Sequence, residues 1–116
     1  MFGIDSPNGY REAAPGIRIK TIASGERVLM SKFSLSAGAK LPLHSHPNEQ
    51  IGYLLSGRMT LYIGNTSREL RSGDSWCIPS CVEHRADIIE ESCALEIFSP
   101  VREDYLEYFN PADVEE

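Results

Sequence analysis

Hydrophobic and polar residues alternate along most of the chain, in short runs that Gly, Pro, Asn or Ser residues separate. A period of two is typical of strands that bury one face, and regularly spaced turn residues are typical of an all-β sandwich or barrel. The dipeptide Gly64-Asn65 indicates a two-residue hairpin. We expect an all-β fold of about nine strands, the clearest of them at residues 16–23, 28–35, 41–46, 50–55, 58–63, 67–71, 75–78 and 92–99.

One segment near the C-terminus favours a helix instead, at residues 102–109. Pro100 precedes it, Pro111 follows it, and acidic residues occupy its first turn, where they complement the helix dipole. Its apolar side chains form one stripe that we expect to pack against the strands: Tyr105, Leu106 and Phe109.

Length and charge narrow the class of protein. The chain has 116 residues, enough for one hydrophobic core, and we expect a single domain over residues 1–116. Its net charge of −6 and its scattered Lys and Arg residues argue against a nucleic-acid partner. No apolar run approaches the roughly 20 residues that span a bilayer, so we expect no membrane partner.

The expected compartment is the cytoplasm. Residues 1–16 lack the apolar core of a signal peptide. Three cysteines cannot all pair within one chain, which favours reduced thiols. Cys77 and Cys81 are four residues apart, but no second pair completes a zinc knuckle. We expect both to be buried structural thiols.

The three histidines of the chain are the candidate chemistry. His44 and His46 are two residues apart in an extended segment, so both imidazoles leave the same face of the strand. His84 follows forty residues later, shortly after Pro79. Imidazole is the commonest ligand of transition metals from iron to zinc, so these three residues are candidate metal ligands.

The spacing around the histidines carries a family resemblance. The stretch Gly38-x5-His44-x-His46-x3-Gln50-x6-Gly57 matches the first cupin motif, and Gly73-x5-Pro79 followed by His84 matches the second. The chain therefore resembles the cupin superfamily. The resemblance implies a double-stranded β-helix, or jelly-roll barrel, over about residues 16–100, with a metal ion in its mouth.

The chain departs from the motifs at three positions. Gln50 replaces the glutamate of the first motif, and Glu49 cannot substitute for it because neighbouring residues of a strand point to opposite faces. Cys81 replaces a glycine of the second motif, so that turn must tolerate a side chain, and Ile88 replaces its final asparagine.

Gln50 changes the chemistry expected of the site. As a neutral fourth ligand it leaves the full charge on the ion, which favours Lewis-acid work on an anionic substrate over oxygen chemistry. The alternative is that Gln50 only lines the cavity. We expect one divalent transition metal, because imidazoles disfavour calcium and magnesium. Nickel, zinc, manganese and iron all remain open.

A closer resemblance is to the small KdgF-type cupins, carried by residues 44–57 and 98–105. It implies conversion of 4,5-unsaturated monouronates to linear ketouronates, and a homodimer. The family's metal ligands map onto His44, His46, Gln50 and His84. Its further Asp, Phe and Arg near the metal map onto Glu96, Phe98 and Arg102.

Each of the mapped catalytic residues also has a structural alternative. Glu96 either faces the cavity or lies wet on an edge strand. Arg102 either clamps a substrate carboxylate or pairs with Asp104 or Glu103. Three aromatic residues either line a sugar pocket or belong to the core: Trp76, Tyr53 and Tyr62.

Three function hypotheses follow. The first is a metal-dependent enzyme of small sugar acids, in which Glu96 moves a proton and Arg102 holds the carboxylate. The second is a cupin dioxygenase, because three histidines alone can hold a catalytic iron. The third is a non-catalytic module that binds a small acid.

Overall fold

The computed structural model describes residues 1–116 and contains ten strands and two 3₁₀ helices. The strands are β1 Phe2–Gly3, β2 Arg11–Ala14, β3 Ile17–Ser24, β4 Leu29–Leu35, β5 Lys40–His44, β6 Glu49–Ile63, β7 Thr66–Arg71, β8 Ser75–Ile78, β9 His84–Ser99 and β10 Val114–Glu115. The 3₁₀ helices span Glu103–Tyr108 and Pro111–Asp113. Neither helix has the length and apolar content to cross a membrane. The all-β fold class is confirmed.

Two long strands organise the fold. β6 and β9 pair with each other along most of their length. The first half of β6 also pairs with β8 and its second half with β7, while β9 pairs with β5 at its start and with β4 at its end. β2 and β3 extend the sheet beyond β4. Each long strand therefore contributes to both halves of the barrel.

The alternation of the sequence determines which side chains enter the barrel. Alternate residues of β4 are buried, and the end of β9 alternates in the same way. Sixteen buried hydrophobic residues form one core. The largest completely enclosed hydrophobic side chains in it are Phe98, Ile17, Leu29, Leu35, Leu54 and Ile78.

The two long strands are longer than the sequence pattern predicted. Residues 50–55 and 58–63 were expected as two strands, but β6 is continuous through the bend at Gly57, which has a φ of +97°. β9 begins at His84, not at residue 92, because residues 84–88 also alternate between buried and half-buried positions. The short strands β1, β2 and β10 were not predicted.

The C-terminal helix is real but is of the 3₁₀ type. Three residues per turn place Tyr105 and Tyr108 on one side, with ring centroids 5.3 Å apart. Tyr105 is buried against the barrel, whereas Leu106 is 43% exposed. The predicted stripe is therefore wrong at Leu106, because it assumed the periodicity of an α-helix.

Candidate metal centre

Strand pairing brings the three histidines together. His44 ends β5 and His84 begins β9, and the two residues are directly paired between these antiparallel strands. His46 lies in the short connection between β5 and β6. The ring centroid of His84 lies 4.2 Å from that of His44 and 5.0 Å from that of His46. The nearest ligand nitrogens all lie within 4.8 Å of one another, so the cluster could hold a metal ion.

Backbone carbonyl groups orient all three imidazoles. The Nδ1 atoms lie 2.8 Å from the Pro42 carbonyl oxygen for His44, 3.0 Å from that of Asn48 for His46, and 2.9 Å from that of Val82 for His84. A carbonyl only accepts, so each Nδ1 carries the proton. The Nε2 lone pairs are therefore free, as metal ligation requires.

The Nε2 atoms form a set of unsatisfied acceptors. That of His84 is buried and has no hydrogen-bond partner. That of His46 lies 3.0 Å from Oε1 of Gln50, which is also an acceptor. A divalent cation among these atoms would satisfy all of them, so the residues fit a metal ion.

Burial keeps two of the histidines, His46 and His84, neutral by lowering their pKa values. It lowers the pKa of His84 to about 4, against a smaller opposing effect of the Val82 hydrogen bond, and the other histidines and Arg102 lower it further. The pKa of His46 is also lowered, first by burial and then by the charge of Arg102. Neutral imidazoles do not need to lose a proton before they bind an ion at neutral pH.

Gln50 faces the site and Glu49 faces solvent, as the alternation of β6 predicts. The side-chain Nε2 of Gln50 donates a hydrogen bond to Oε2 of Glu96. The Oε1 atom of Gln50 is therefore turned toward His46. An ionised glutamate at position 50 could not donate this bond. The partner on β9 thus gives a physical reason for the amide at the motif position.

Glu96 is 5% exposed and lines the same cavity as the histidines, so the alternative of a wet edge position is wrong. Burial raises its pKa to about 8, although the polar groups of Gln50 and Trp76 act in the opposite direction. The carboxyl group can therefore exchange a proton near neutral pH.

Arg102 pairs with Asp104 and also faces the cavity, while its binding of a substrate carboxylate stays a prediction. Its Nε lies 3.2 Å from Oδ1 of Asp104, and its side chain also lines the cavity. The guanidinium carbon lies 4.0 Å from the centre of the Tyr105 ring and 5.4 Å from that of Phe98. Phe98 is completely buried, and its ring centroid lies 5.7 Å from that of His46. These aromatic contacts hold the cation at the site.

The remaining aromatic residues divide between cavity and surface. Trp76 is buried and lines the cavity. Tyr53 is 45% exposed, and Tyr62 stacks against the guanidinium of Arg85 at 3.6 Å. Neither tyrosine lines the cavity. Tyr105 does line it, and the sequence assigned Tyr105 only to the helix stripe.

The prediction of buried cysteines is wrong at both positions. Cys77 is exposed because β8 buries Trp76 and Ile78 on its other face. Cys81 is exposed in the turn after β8, with a φ of +64°. Its backbone N–H donates to the His46 carbonyl oxygen at 2.9 Å, which joins the turn of the second motif to the histidines of the first.

Residues 31–99 match the family model described as the cupin domain. The chain belongs to the cupin family. This cupin is similar to KdgF from Halomonas sp., with 28% identity, a TM-score of 0.85, and coverage of 90% of this chain and 98% of that one. No curated protein sequence matches the chain.

Two further solved structures support the fold. An RmlC-like cupin from Shewanella frigidimarina is 23% identical, with a TM-score of 0.85 and coverage of 90% of this cupin and 94% of that chain. The DMSP lyase DddQ from Ruegeria pomeroyi is 23% identical, with a TM-score of 0.71 and coverage of 82% and 54%.

Proposed function

We propose that this cupin is a metal-dependent enzyme that converts 4,5-unsaturated monouronates to linear ketouronates. The observation that carries the proposal is one cavity that Glu96, Arg102 and the inward-facing His44 and His84 all line. The similarity to KdgF, at 28% identity over nearly the whole chain, supports the same substrate class.

The four ligands we propose are His44, His46, His84 and Gln50. A divalent ion bound by them would supply Lewis acidity beside the anionic substrate. All four ligands are neutral, so the protein does not reduce the charge of the ion, and the site would attract a carboxylate.

Arg102 is the group we propose to bind the substrate carboxylate. Its guanidinium is stacked on Tyr105 and paired with Asp104, so its direction is largely fixed before substrate arrives. Bidentate binding by a pre-oriented arginine would fix the sugar ring in the cavity.

Glu96 is the proton carrier in this proposal. Ring opening removes the proton of the C1 hydroxyl and breaks the bond between C1 and the ring oxygen. C1 becomes an aldehyde, and the freed enol at C5 becomes a ketone when a proton is added at C4. The reaction is an isomerisation, so one carboxyl that accepts and returns a proton is sufficient. A pKa of about 8 suits that exchange near neutral pH.

The test follows the ultraviolet absorbance of the conjugated double bond of a 4,5-unsaturated monouronate, with metal-loaded protein and with buffer alone. We expect faster loss of absorbance with the protein, and the ketone in the NMR spectrum of the product. Glu96→Gln should lower kcat by about two orders of magnitude. Glu91→Gln is the matched control, because Glu91 is exposed on the same strand. Decay equal to buffer, with the ion confirmed present, would contradict the proposal.

Two further measurements, of uronate binding and of oxygen uptake, separate the other hypotheses. Tight binding of the uronate without turnover would support a binding module, and oxygen uptake would support a dioxygenase. The small anionic substrate, the homodimer and the cytoplasmic location stay predictions.

A further inference from the structure

Three inward-facing residues lie in one row across neighbouring strands. Trp76 of β8 is paired with Gly52 of β6, and Gly52 is paired with Glu96 of β9. Trp76 and Glu96 are thus two strands apart, a separation of roughly 10 Å between their backbones. Their side chains can meet only across the residue between them.

Gly52 leaves that space open. A Cβ atom at this position would overlap three atoms of the Trp76 indole: Cε2, Nε1 and Cζ2. The indole, with its nitrogen among the nearest atoms, therefore lies directly over Gly52, the residue between Trp76 and Glu96 in the row. Gly52 is not a turn residue, since it lies within β6 and is not among the glycines of positive φ. Its lack of a side chain is needed for the close approach of the indole.

The carboxyl of Glu96 is nearly enclosed by protein. Gln50 donates to Oε2, and the indole lies over Gly52, the β6 residue that is paired with Glu96. A buried carboxyl with only one donor would be free to rotate about its last torsion angle. A second donor on a rigid, packed ring would fix the plane of the carboxyl.

We propose that Trp76 is a positioning residue that orients the Glu96 carboxyl through its indole N–H, and that the missing side chain at Gly52 makes this contact possible. The catalytic part of this inference rests on the proposed function. The contact itself does not, and it can be measured in protein without substrate.

The first experiment uses the fact that Trp76 is the only tryptophan of the chain. The strength of the hydrogen bond donated by its indole N–H is read from ultraviolet resonance Raman spectra. We expect a strong bond in the parent protein and a weak one after Glu96→Ala and after Gly52→Ala, with no change after Glu91→Ala. An unchanged bond in Glu96→Ala would overturn the proposal. Circular dichroism shows which variants are folded, and only those are compared. A weakly bonded indole N–H in the parent protein would overturn the proposal without any variant.

The second experiment replaces Trp76 biosynthetically by benzothienylalanine, in which sulfur takes the place of the indole N–H while the shape is kept. We expect kcat for the uronate to fall about tenfold, with KM and metal content unchanged, because the carboxyl loses a donor but the cavity stays filled. An unchanged kcat would overturn the positioning role. Absence of turnover in the parent protein would instead contradict the proposed function, while the Raman comparison would still decide the contact.

Discussion

At the scale of single residues, the pairing of Gln50 with Glu96 links a candidate metal ligand to the proposed proton carrier. One end of the Gln50 amide faces His46 and the other donates to the Glu96 carboxyl. The identity of each residue therefore depends on the other. A carboxylate at position 50 would suit a cation but would remove the donor that Glu96 needs.

We predict that Gln50→Glu destabilises the metal-free protein at alkaline pH, because two carboxyl groups in contact must either both be charged or keep a proton that the unfolded chain releases. The expected loss is about 1–3 kcal/mol in the free energy of unfolding, measured in urea. The double variant Gln50→Glu with Glu96→Gln exchanges donor and acceptor, and should recover most of that loss. Additive effects of the two substitutions would contradict the coupling.

Cys81 adopts a backbone conformation that suits glycine, with a φ of +64°. We predict that Cys81→Gly stabilises the protein by up to about 1 kcal/mol, because relief of left-handed strain exceeds the entropy that glycine adds to the unfolded chain. Thermal unfolding measures the effect. Cys77→Gly is the matched control, since Cys77 is an exposed cysteine within β8, where glycine should destabilise. A lower melting temperature for Cys81→Gly would refute the strain argument.

Much of the site was predictable at this scale, because motif spacing identifies His44, His46 and His84 without any coordinates. The burial of Glu96 was left open by the sequence, since one carboxylate on an alternating strand suits both an edge and a cavity. The contact between Trp76 and Glu96 was not predictable, because it depends on the register of three strands.

At the scale of elements, β6 and β9 carry the site because each runs through both halves of the barrel. Gln50 lies near the start of β6, and β9 contributes His84 at its start and Glu96 near its end. The sequence pattern predicted a boundary between two strands at Gly57. Its positive φ instead bends one strand, whose pairing with β9 continues on both sides of the bend.

We predict that Gly57→Ala is severely destabilising, by more than about 3 kcal/mol, because it adds a clash to the backbone strain. A Cβ at this position would overlap Ser92 and the carbonyl oxygen of Glu91 on β9. Gly38→Ala is the control: Gly38 also has a positive φ, of +83°, but a Cβ there meets nothing within 4 Å. It should lower stability by only about 1–2 kcal/mol. Equal losses in urea unfolding would show that the bend does not need the open space.

At the scale of the whole molecule, one buried cation ties both chain ends to the barrel. Lys20 of β3 is 2% exposed, and its Nζ lies 2.8 Å from the carbonyl oxygens of Ser6 and Asn8 and 3.0 Å from Oδ2 of Asp113. Strands β1 and β10 pair next to this contact. β1 and β10 form only a two-stranded sheet with each other. The bonds from Lys20 on β3 to Ser6, Asn8 and Asp113 connect both chain ends to the large sheet.

We predict that Lys20→Met releases both chain ends while the barrel persists, because the carbonyl groups and the Asp113 carboxylate lose their shared donor. Hydrogen exchange measures this at the Ile4 N–H, which is bonded to the Asp113 carbonyl oxygen at 2.7 Å. Its protection should fall far more than that of Leu54 in the core. Lys32→Met is the control, since the ion pair of Lys32 is with the exposed Asp5, at 3.8 Å, and pairs of this kind contribute little.

Acid should have the same effect as the substitution. The hydroxyl of Ser6 and then Lys20 lower the pKa of Asp113 below its ordinary value. A lowered pKa means that the contact stabilises the folded chain at pH values above the ordinary pKa of an aspartate and is lost as the pH falls through the lowered value. We therefore expect Ile4 to lose protection on acidification in the parent protein, and to lose less in Lys20→Met, where the hydrogen bonds of Asp113 other than that of Lys20 remain to be lost. Loss of Leu54 protection at the same pH would contradict a local release of the chain ends, because it would mean that the barrel unfolds with them.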